Sequence, residues 1–370
     1  MLNYILRRVL LMVPTLFGIL LVNFLIIQAA PGGPIERMLV NIKGIEGGSL
    51  ESGSGGGAEL TSTQSLSGTN SLSGAQSKYA GAQGLDPEFI AKLEKQYGFD
   101  KPAHERFWIM IKSYLTFDLG SSYFKDATVI SLIKQKLPVS ISLGLWTTLL
   151  IYLISIPLGI RKAVRDGQTF DIWTSWVVIV GYSIPGFLLA IFLIVFLAGG
   201  SYWQIFPLRG LVSENWNTLP LFSKITDYFW HLALPVFASV LSGFASLTML
   251  TKNAFLEEMN KQYVFTARAK GLSQNRVLYG HVFRNAMMIV ISSFPAIFIA
   301  LFFTSSILIE VIFSLDGLGL LGFEAVTGRD YPVVFGSLFI FTLLGLVIHL
   351  LSDIAYMFVD PRVDFEKREV

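Results

Sequence analysis

Six stretches of this chain are long and apolar enough to cross a bilayer, at 9–27, 139–160, 173–198, 231–250, 286–309 and 333–359. A helix rising 1.5 Å per residue needs about 20 apolar residues to cross a hydrocarbon core of about 30 Å. Lipid offers no partner to backbone amides, so each stretch is predicted to be helical. The fold class that follows is an all-α polytopic membrane protein with six transmembrane helices. Composition agrees: 53% of the 370 residues are hydrophobic and 15% charged, where soluble domains carry roughly one-quarter charged residues. A net charge of +2 gives no ground for a nucleic-acid partner. There is no cysteine, which excludes thiol catalysis and thiolate metal sites. His104, His231, His281 and His349 are too scattered for zinc-type spacing. No metal, bound cofactor or catalytic residue is expected on this chain.

Cytoplasmic loops keep Lys and Arg near the span ends. Arg7 and Arg8 precede the first span, and Arg161, Lys162 and Arg165 follow the second. Lys252, Lys261, Arg268, Lys270, Arg276 and Arg284 lie between the fourth and fifth. In the opposite loops Arg209 and Lys224 are balanced by Glu214 and Asp227, and Arg329 is outnumbered by Glu310, Asp316, Glu324 and Asp330. The alternation predicts a multi-pass membrane protein with both termini cytoplasmic and the opposite loops in the periplasm or exterior. The first run ends in Gln28, Ala29 and Ala30, as a secretory signal can. Its apolar length exceeds a signal core of about 7–15 residues, and Pro31 stands where cleavage would make the new N-terminus, so a retained anchor is expected.

These spans divide the chain into residues 1–30 (cytoplasmic N-terminus and first helix), a periplasmic insertion at 31–137, and a core at 138–370 carrying helices two to six and a cytoplasmic loop at 253–284. Within the insertion, 47–84 is mostly Gly, Ser, Thr, Ala and Gln. Such a stretch buries too little apolar surface to offset ordering entropy, and a flexible loop is expected. Asp86 and Pro87 then suit the N-cap and first position of a helix carrying Phe89, Ile90, Leu93 and Tyr97 and ending at Gly98. A second amphipathic helix is predicted at 107–115, after Pro102. The insertion reads equally as a platform for a delivery protein or as a loop domain packing on the bundle.

Antiparallel spans need connections of only about 2–8 residues, and the loop 253–284 is far longer. Residues 257–269 are helix-compatible, with Tyr263 and Ala267 four apart. Gly271 suits a helix end, and Ser273 suits the N-cap of a second helix. Ala267, Ala269 and Gly271 are small enough to admit a close approach by another protein. By charge alone, Arg268, Lys270, Arg276 and Arg284 fit a hairpin lying on anionic lipid equally well.

Tyr263-Val264, then Thr266-Ala267-Arg268-Ala269-Lys270-Gly271-Leu272-Ser273, then His281 and Arg284-Asn285-Ala286, resemble the EAA loop of binding-protein-dependent ABC importer permeases of the oligopeptide/dipeptide type. Further motifs of that subfamily follow the same order. They are Ala30-Pro31-Gly32-Gly33-Pro34, Gln96-Tyr97-Gly98-Phe99-Asp100-Lys101-Pro102, Phe117-Asp118-Leu119-Gly120-Ser121-Ser122, Ile312-Phe313-Ser314 with Gly317-Leu318-Gly319, and Arg329-Asp330-Tyr331-Pro332. Gly-Gly after Ala-Pro and the Gly/Ser-rich insertion resemble the permeases of peptide and peptide-antibiotic (microcin C) importers. Two positions depart: Ile289 and Asp316 stand where the family usually has proline.

The resemblance implies a type I ABC importer permease fold, in which the EAA loop is a coupling helix docking in a cleft of the ATPase. Tyr263, Phe265, Thr266, Ala267, Arg268, Lys270 and Gly271 are the implied coupling residues. It also implies the bacterial inner membrane as the location, and the partners: ATP-binding cassette subunits that use ATP and Mg, a second homologous permease and a periplasmic peptide-binding protein. The cargo is then peptide, moved into the cytoplasm. The chain lacks a P-loop and any Gly-Lys pair, so it is expected to be the non-catalytic translocation subunit.

Two other classes compete. An ion-coupled secondary transporter places ionisable groups in mid-membrane. Here His349 and Asp353 alone stand out, both near the cytoplasmic end of the last span, where an interfacial or packing role also fits. A membrane scaffold would likewise use the long loop to hold a partner. Asn23 in the first span is predicted to make an interhelical hydrogen bond. Tyr182-Ser183-Ile184-Pro185-Gly186 interrupts the third span, so Ser183, Pro185 and Gly186 either line the pathway or form an ordinary kink.

Overall fold

The computed structural model describes residues 2–29, 87–96, 99–199, 202–303 and 306–359. The segment 47–84, the Ala30 to Pro34 motif, Asp86, Tyr97 and Gly98 lie outside the described residues. Among the described residues the regular structure is helical, joined by one isolated bridge between Ser121 and Thr128. The helices are α1 (Leu2–Ala29), α2 (Pro87–Gln96), α3 (Ala103–Leu115), α4 (Val129–Val164), α5 (Thr169–Ser183), α6 (Gly186–Leu197), α7 (Leu221–Met259), α8 (Gln262–Ala269) and α9 (Gln274–Val277). A π turn (Leu278–Val282) follows, then α10 (Phe283–Phe303), α11 (Ser306–Ile312), α12 (Leu318–Gly328) and α13 (Tyr331–Val359).

Four runs are long and apolar enough to span a bilayer: Ile5–Ile26, Val129–Val164, Gln274–Phe294 and Tyr331–Ile354. Two more are bent pairs: Thr169–Ser183 with Gly186–Leu197 at 88°, and Leu221–Leu241 with Gly243–Met259 at 48°. Counting each pair as one span gives six. The 88° bend falls on Ile184 and Pro185, where proline cannot donate and the residue before it is pushed to extended backbone (ψ 116°). Leu10, Leu153, Trp173, Val180 and Phe192 are all exposed, as a surface solvated by hydrocarbon requires.

The chain divides into two compact units. The larger comprises Met1–Leu16, Ile130–Glu324 and Ser337–Val370. Its core packs Leu143 and Ile151 of α4, Val178 of α5, Ala190 of α6 and Leu232 and Leu247 of α7 with Val290 and Ile309. Helices α4 and α7 approach closely at Gly159, where a Cβ would stand 2.6 Å from Thr251 Cβ and 2.8 Å from the Thr248 carbonyl oxygen. Small residues allow such approaches in membranes. Ser155 Oγ donates across the same interface to the Phe244 carbonyl at 2.9 Å. Gly159→Ala is therefore expected to force the two helices apart at a cost of about 1–3 kcal/mol, read as an earlier loss of monodisperse protein on heating in detergent. In the same unit Arg8 pairs with Asp353 at 2.9 Å, a packing role for the acid of the last span.

The smaller unit comprises Phe17–Val129 and Ala325–Gly336. Phe24 and Phe107 stand 5.3 Å apart between ring centroids, and Phe17 and Phe107 5.6 Å, joining α1 to α3. Two of the sequence motifs meet here. Asp330, 5% exposed, accepts from the Ser122 hydroxyl and, at 3.1 Å, from the Tyr123 N–H. Gly120, two residues before Ser122, adopts φ +78°.

Three expectations change. Asn23 donates to the Ile19 carbonyl at 2.8 Å, a bond within its own helix instead of between helices. Helix α3 begins at Ala103, not 107, because Pro102 has the extended backbone of an N-cap and its carbonyl accepts the Arg106 N–H. The helix predicted at 257–269 is broken at Asn260 and Lys261. Lys261 is extended (ψ 150°) while its ammonium reaches back to the Glu258 carboxylate.

Candidate functional site

The loop between α7 and α10 is a built hairpin. Lys261 is the N-cap of α8, and its ammonium pKa is raised chiefly by the bond to Glu258. Tyr263 Oη donates to Glu258 Oε2 at 2.8 Å. Burial, and then that carboxylate, push the Tyr263 hydroxyl up to about 12, so it stays a donor at neutral pH. Val264 (0% exposed) and Ala267 (7%) face inward, against Ile160, Phe255, Val277, Leu278 and Val282. Phe265 is 52% exposed; Thr266, Arg268, Ala269, Lys270 and Gly271 are exposed as well. Ala267 thus does not offer its small side chain outward, as the sequence reading expected. It lets α8 lie close on its own core.

Gly271 ends α8. Its φ is +81°, its N–H reaches the Arg268 carbonyl at 2.9 Å, and the Leu272 N–H reaches Ala267 at 3.3 Å. That bond pair is a Schellman termination, whose left-handed residue is normally glycine. Ser273 occupies the N-cap of α9 without a side-chain capping bond. The π turn that follows leaves Tyr279 60% exposed while burying Leu278 and Val282. Phe265, Tyr279 and the cations Arg268, Lys270 and Arg276 therefore stand on the outside of a hairpin whose inner face is apolar.

Beneath the hairpin, the ends of α4, α5 and α7 are tied by buried charge. Lys162, 0% exposed, pairs with Asp171 Oδ1 at 2.9 Å. It also donates to the Asp171 carbonyl (2.9 Å), Thr174 Oγ1 (3.0 Å) and Ser175 Oγ (2.7 Å). Lys252 bridges Asp171 Oδ2 and Asp166 Oδ1, both at 2.8 Å. The Gly167 N–H adds a bond to Asp171 Oδ2 at 3.2 Å. Lys162 and Lys252 entered the sequence reading as loop charges; both are engaged, and Lys162 is wholly enclosed. The Lys-to-Asp spacing across a short turn was the available signal.

Residues 155–365 match the family of binding-protein-dependent transport system inner membrane components. The chain is 58% identical, over 99% of both sequences, to the inner membrane ABC transporter permease protein YejB of Escherichia coli O157:H7. The chain belongs to this permease family. It is also 59% identical to the peptidoglycan transport system permease protein YejB of Agrobacterium fabrum, again over 99% of both. At greater distance, it is 32% identical to the oligopeptide transport system permease protein AppB of Bacillus subtilis, over 98% of this chain and 99% of that one. The resemblance drawn from the motifs thus holds over the full length, and the permease is a multi-pass inner-membrane protein.

Elsewhere in the permease, Ser183 Oγ turns back to the Ile179 carbonyl at 2.8 Å. The Pro185 carbonyl accepts from the Leu188 and Leu189 N–H groups. A cavity of about 500 Å³ that no motif marked opens beside Tyr152, Met287, Phe294 and Leu351. Glu310 and Asp330, counted above as loop acids, are 0% and 5% exposed. No group of three or more potential metal ligands occurs among the described residues.

Proposed function

We propose that this permease is the channel-forming subunit of an ATP-driven ABC importer that carries peptides into the cytoplasm. The observation that carries the proposal is the two-sided hairpin. Val264 and Ala267 seat α8 on the permease core while Phe265 stands out beside Arg268 and Lys270. An exposed aromatic flanked by cations suits insertion into a protein cleft, where a buried aromatic anchor supplies much of the binding energy. In this reading Tyr263, Phe265, Thr266, Ala267, Arg268, Lys270 and Gly271 form the coupling element of a type I importer permease. Phe265 enters the ATPase cleft, Tyr263 and Ala267 hold α8 to the core, and Gly271 sets the turn.

ATP and Mg are used by the ATPase subunits, not by this chain. A second homologous permease completes the channel, and a periplasmic peptide-binding protein delivers cargo to the insertion at 31–137. Both termini lie in the cytoplasm, and Ser183, Pro185 and Gly186 at the 88° bend belong to the pathway wall. Closure of the ATPase pair moves the hairpin as a rigid body, and α7 and α10 pass that motion to the bundle. Uptake of peptide antibiotics such as microcin C is an extension that rests on the motif resemblance.

Phe265→Ala in the complex reconstituted with its ATPase is expected to lower ATP-dependent peptide uptake about tenfold, the scale of an interface hot spot. Folding should be unchanged, since Phe265 is half exposed. Wild-type uptake by the variant would overturn the coupling role. Peptide flux driven by a proton gradient without ATP would make the permease a secondary transporter.

A further inference from the structure

In the smaller unit, a pocket of about 320 Å³ opens among Phe24, Phe99, Tyr331 and Phe335, with Lys101 and Arg106 on its wall. The volume falls within the range of small-ligand sites and is large enough for one aromatic residue. Phe24 stacks on Phe335 at 5.9 Å, and Phe99 lies 6.3 Å from Tyr331, so the walls are fixed by ring packing. The charge is lopsided. Asp118, the one acid on the wall among the described residues, accepts from the Gly120 N–H at 3.1 Å. Neither Lys101 nor Arg106 has a carboxylate partner among the described residues.

Arg106 is the informative group. Its guanidinium lies 4.7 Å over the Phe99 ring and gives Nη2 to Gln28 Oε1 at 2.9 Å. Its Nε is shut off from solvent and has no acceptor among the described residues. A buried N–H without a partner is costly, and each one in a native fold calls for an explanation. The planar fork is also the group best matched to a carboxylate. We propose that this pocket binds a carboxylate carried on an apolar or aromatic residue. Arg106 and Lys101 would take the acid while the rings take the apolar body. The carboxylate is either the C-terminus of a peptide or an acidic side chain on a docking polypeptide. Only the question of who brings it rests on the external placement proposed above.

The test is isothermal titration of the full chain in detergent with N-acetyl-phenylalanine and with its amide. The acid is expected to bind at least about tenfold more tightly, the worth of a charge-assisted contact. Arg106→Gln is expected to erase that preference. Lys101→Gln, at an exposed position that cannot unfold the chain by leaving a buried gap, is expected to reduce it about threefold. Equal binding of acid and amide by the wild-type chain overturns the proposal, as does an unchanged preference in both variants. Acetyl-Glu-Leu-amide, whose only carboxylate is on a side chain, separates the sources. Binding of N-acetyl-phenylalanine alone assigns the site to a peptide C-terminus, and binding of acetyl-Glu-Leu-amide alone assigns it to a docked acidic side chain. If the acid binds in detergent but not from the outside of right-side-out vesicles, the site stands and the external placement falls.

Discussion

Asp171→Asn is expected to destabilise the permease by about 3–5 kcal/mol, the cost of stranding a buried charge. Two lysines share this carboxylate, but they are not equally exposed to its loss. Lys252 keeps Asp166 at 2.8 Å. Lys162 is 0% exposed and has no second carboxylate within ion-pair distance among the described residues, so its ammonium would be left with Thr174, Ser175 and a carbonyl. The loss should appear as a lower midpoint in thermal unfolding of the detergent-solubilised chain. Lys162→Met added to Asp171→Asn removes the stranded charge and is expected to recover most of the loss. Lys252→Met added instead is expected to recover little. If Asp171→Asn unfolds with the wild-type midpoint, or if the two double variants behave alike, the network does not hold these helix ends. Because α4 and α7 also form the floor of the hairpin, this network is the structural reason the hairpin can push on a rigid base.

Gly317→Ala is the second large effect, expected at about 3 kcal/mol. A Cβ at Gly317 would stand 2.3, 2.4 and 2.7 Å from Oε1, Cδ and Oε2 of Glu310. The carboxylate cannot give way cheaply. It is 0% exposed, accepts the Leu320 N–H at 2.7 Å on Oε2, and meets the Ser140 hydroxyl at 3.3 Å on Oε1. Ser140 Oγ in turn accepts the Leu318 N–H at 2.8 Å. Glu310 and Ser140 therefore satisfy two of the orphan donors that begin α12, where negative charge is favoured. An added methyl would cost overpacking of about 1–3 kcal/mol and weaken a charge-assisted bond of similar worth. Glu310→Ala is expected to destabilise as well, by leaving those donors unpaired, yet the double variant should be no worse than Gly317→Ala alone. Additive losses in that cycle would mean that the two residues do not meet.

The neighbouring departure from the family pattern has a local explanation. Asp316, standing where proline is usual, forms an ion pair with Lys136. Ile289, the other departure, lies within α10 and is exposed.

The helical, apolar character of the chain and the place of the long loop were legible because each rests on local rules, whereas the fifth apolar run begins at Gln274 and not at the predicted 286. Apolar length predicts a crossing, proline predicts the bend at Ile184 and Pro185, and glycine predicts the end of α8 at Gly271. The orientation of α8 was not legible, since eight residues carry too little periodicity to say that Ala267 faces in and Phe265 out. That choice was made by Phe255 and Val282, which lie outside the helix itself. Nor could spacing reveal which charges are solvated. Lys162, Glu310 and Asp330 all read as loop charges, and burial depends on what comes from elsewhere in the chain: Asp171 and Lys252 for the first, Ser140 and Leu320 for the second, Ser122 and Tyr123 for the third. Desolvating a charge is costly unless the partner is already in place, and only the folded chain supplies that partner. The sequence by itself determined that this is a helical membrane permease with a hairpin between α7 and α10. Tertiary structure alone decided which face of that hairpin is free and which charges hold its base.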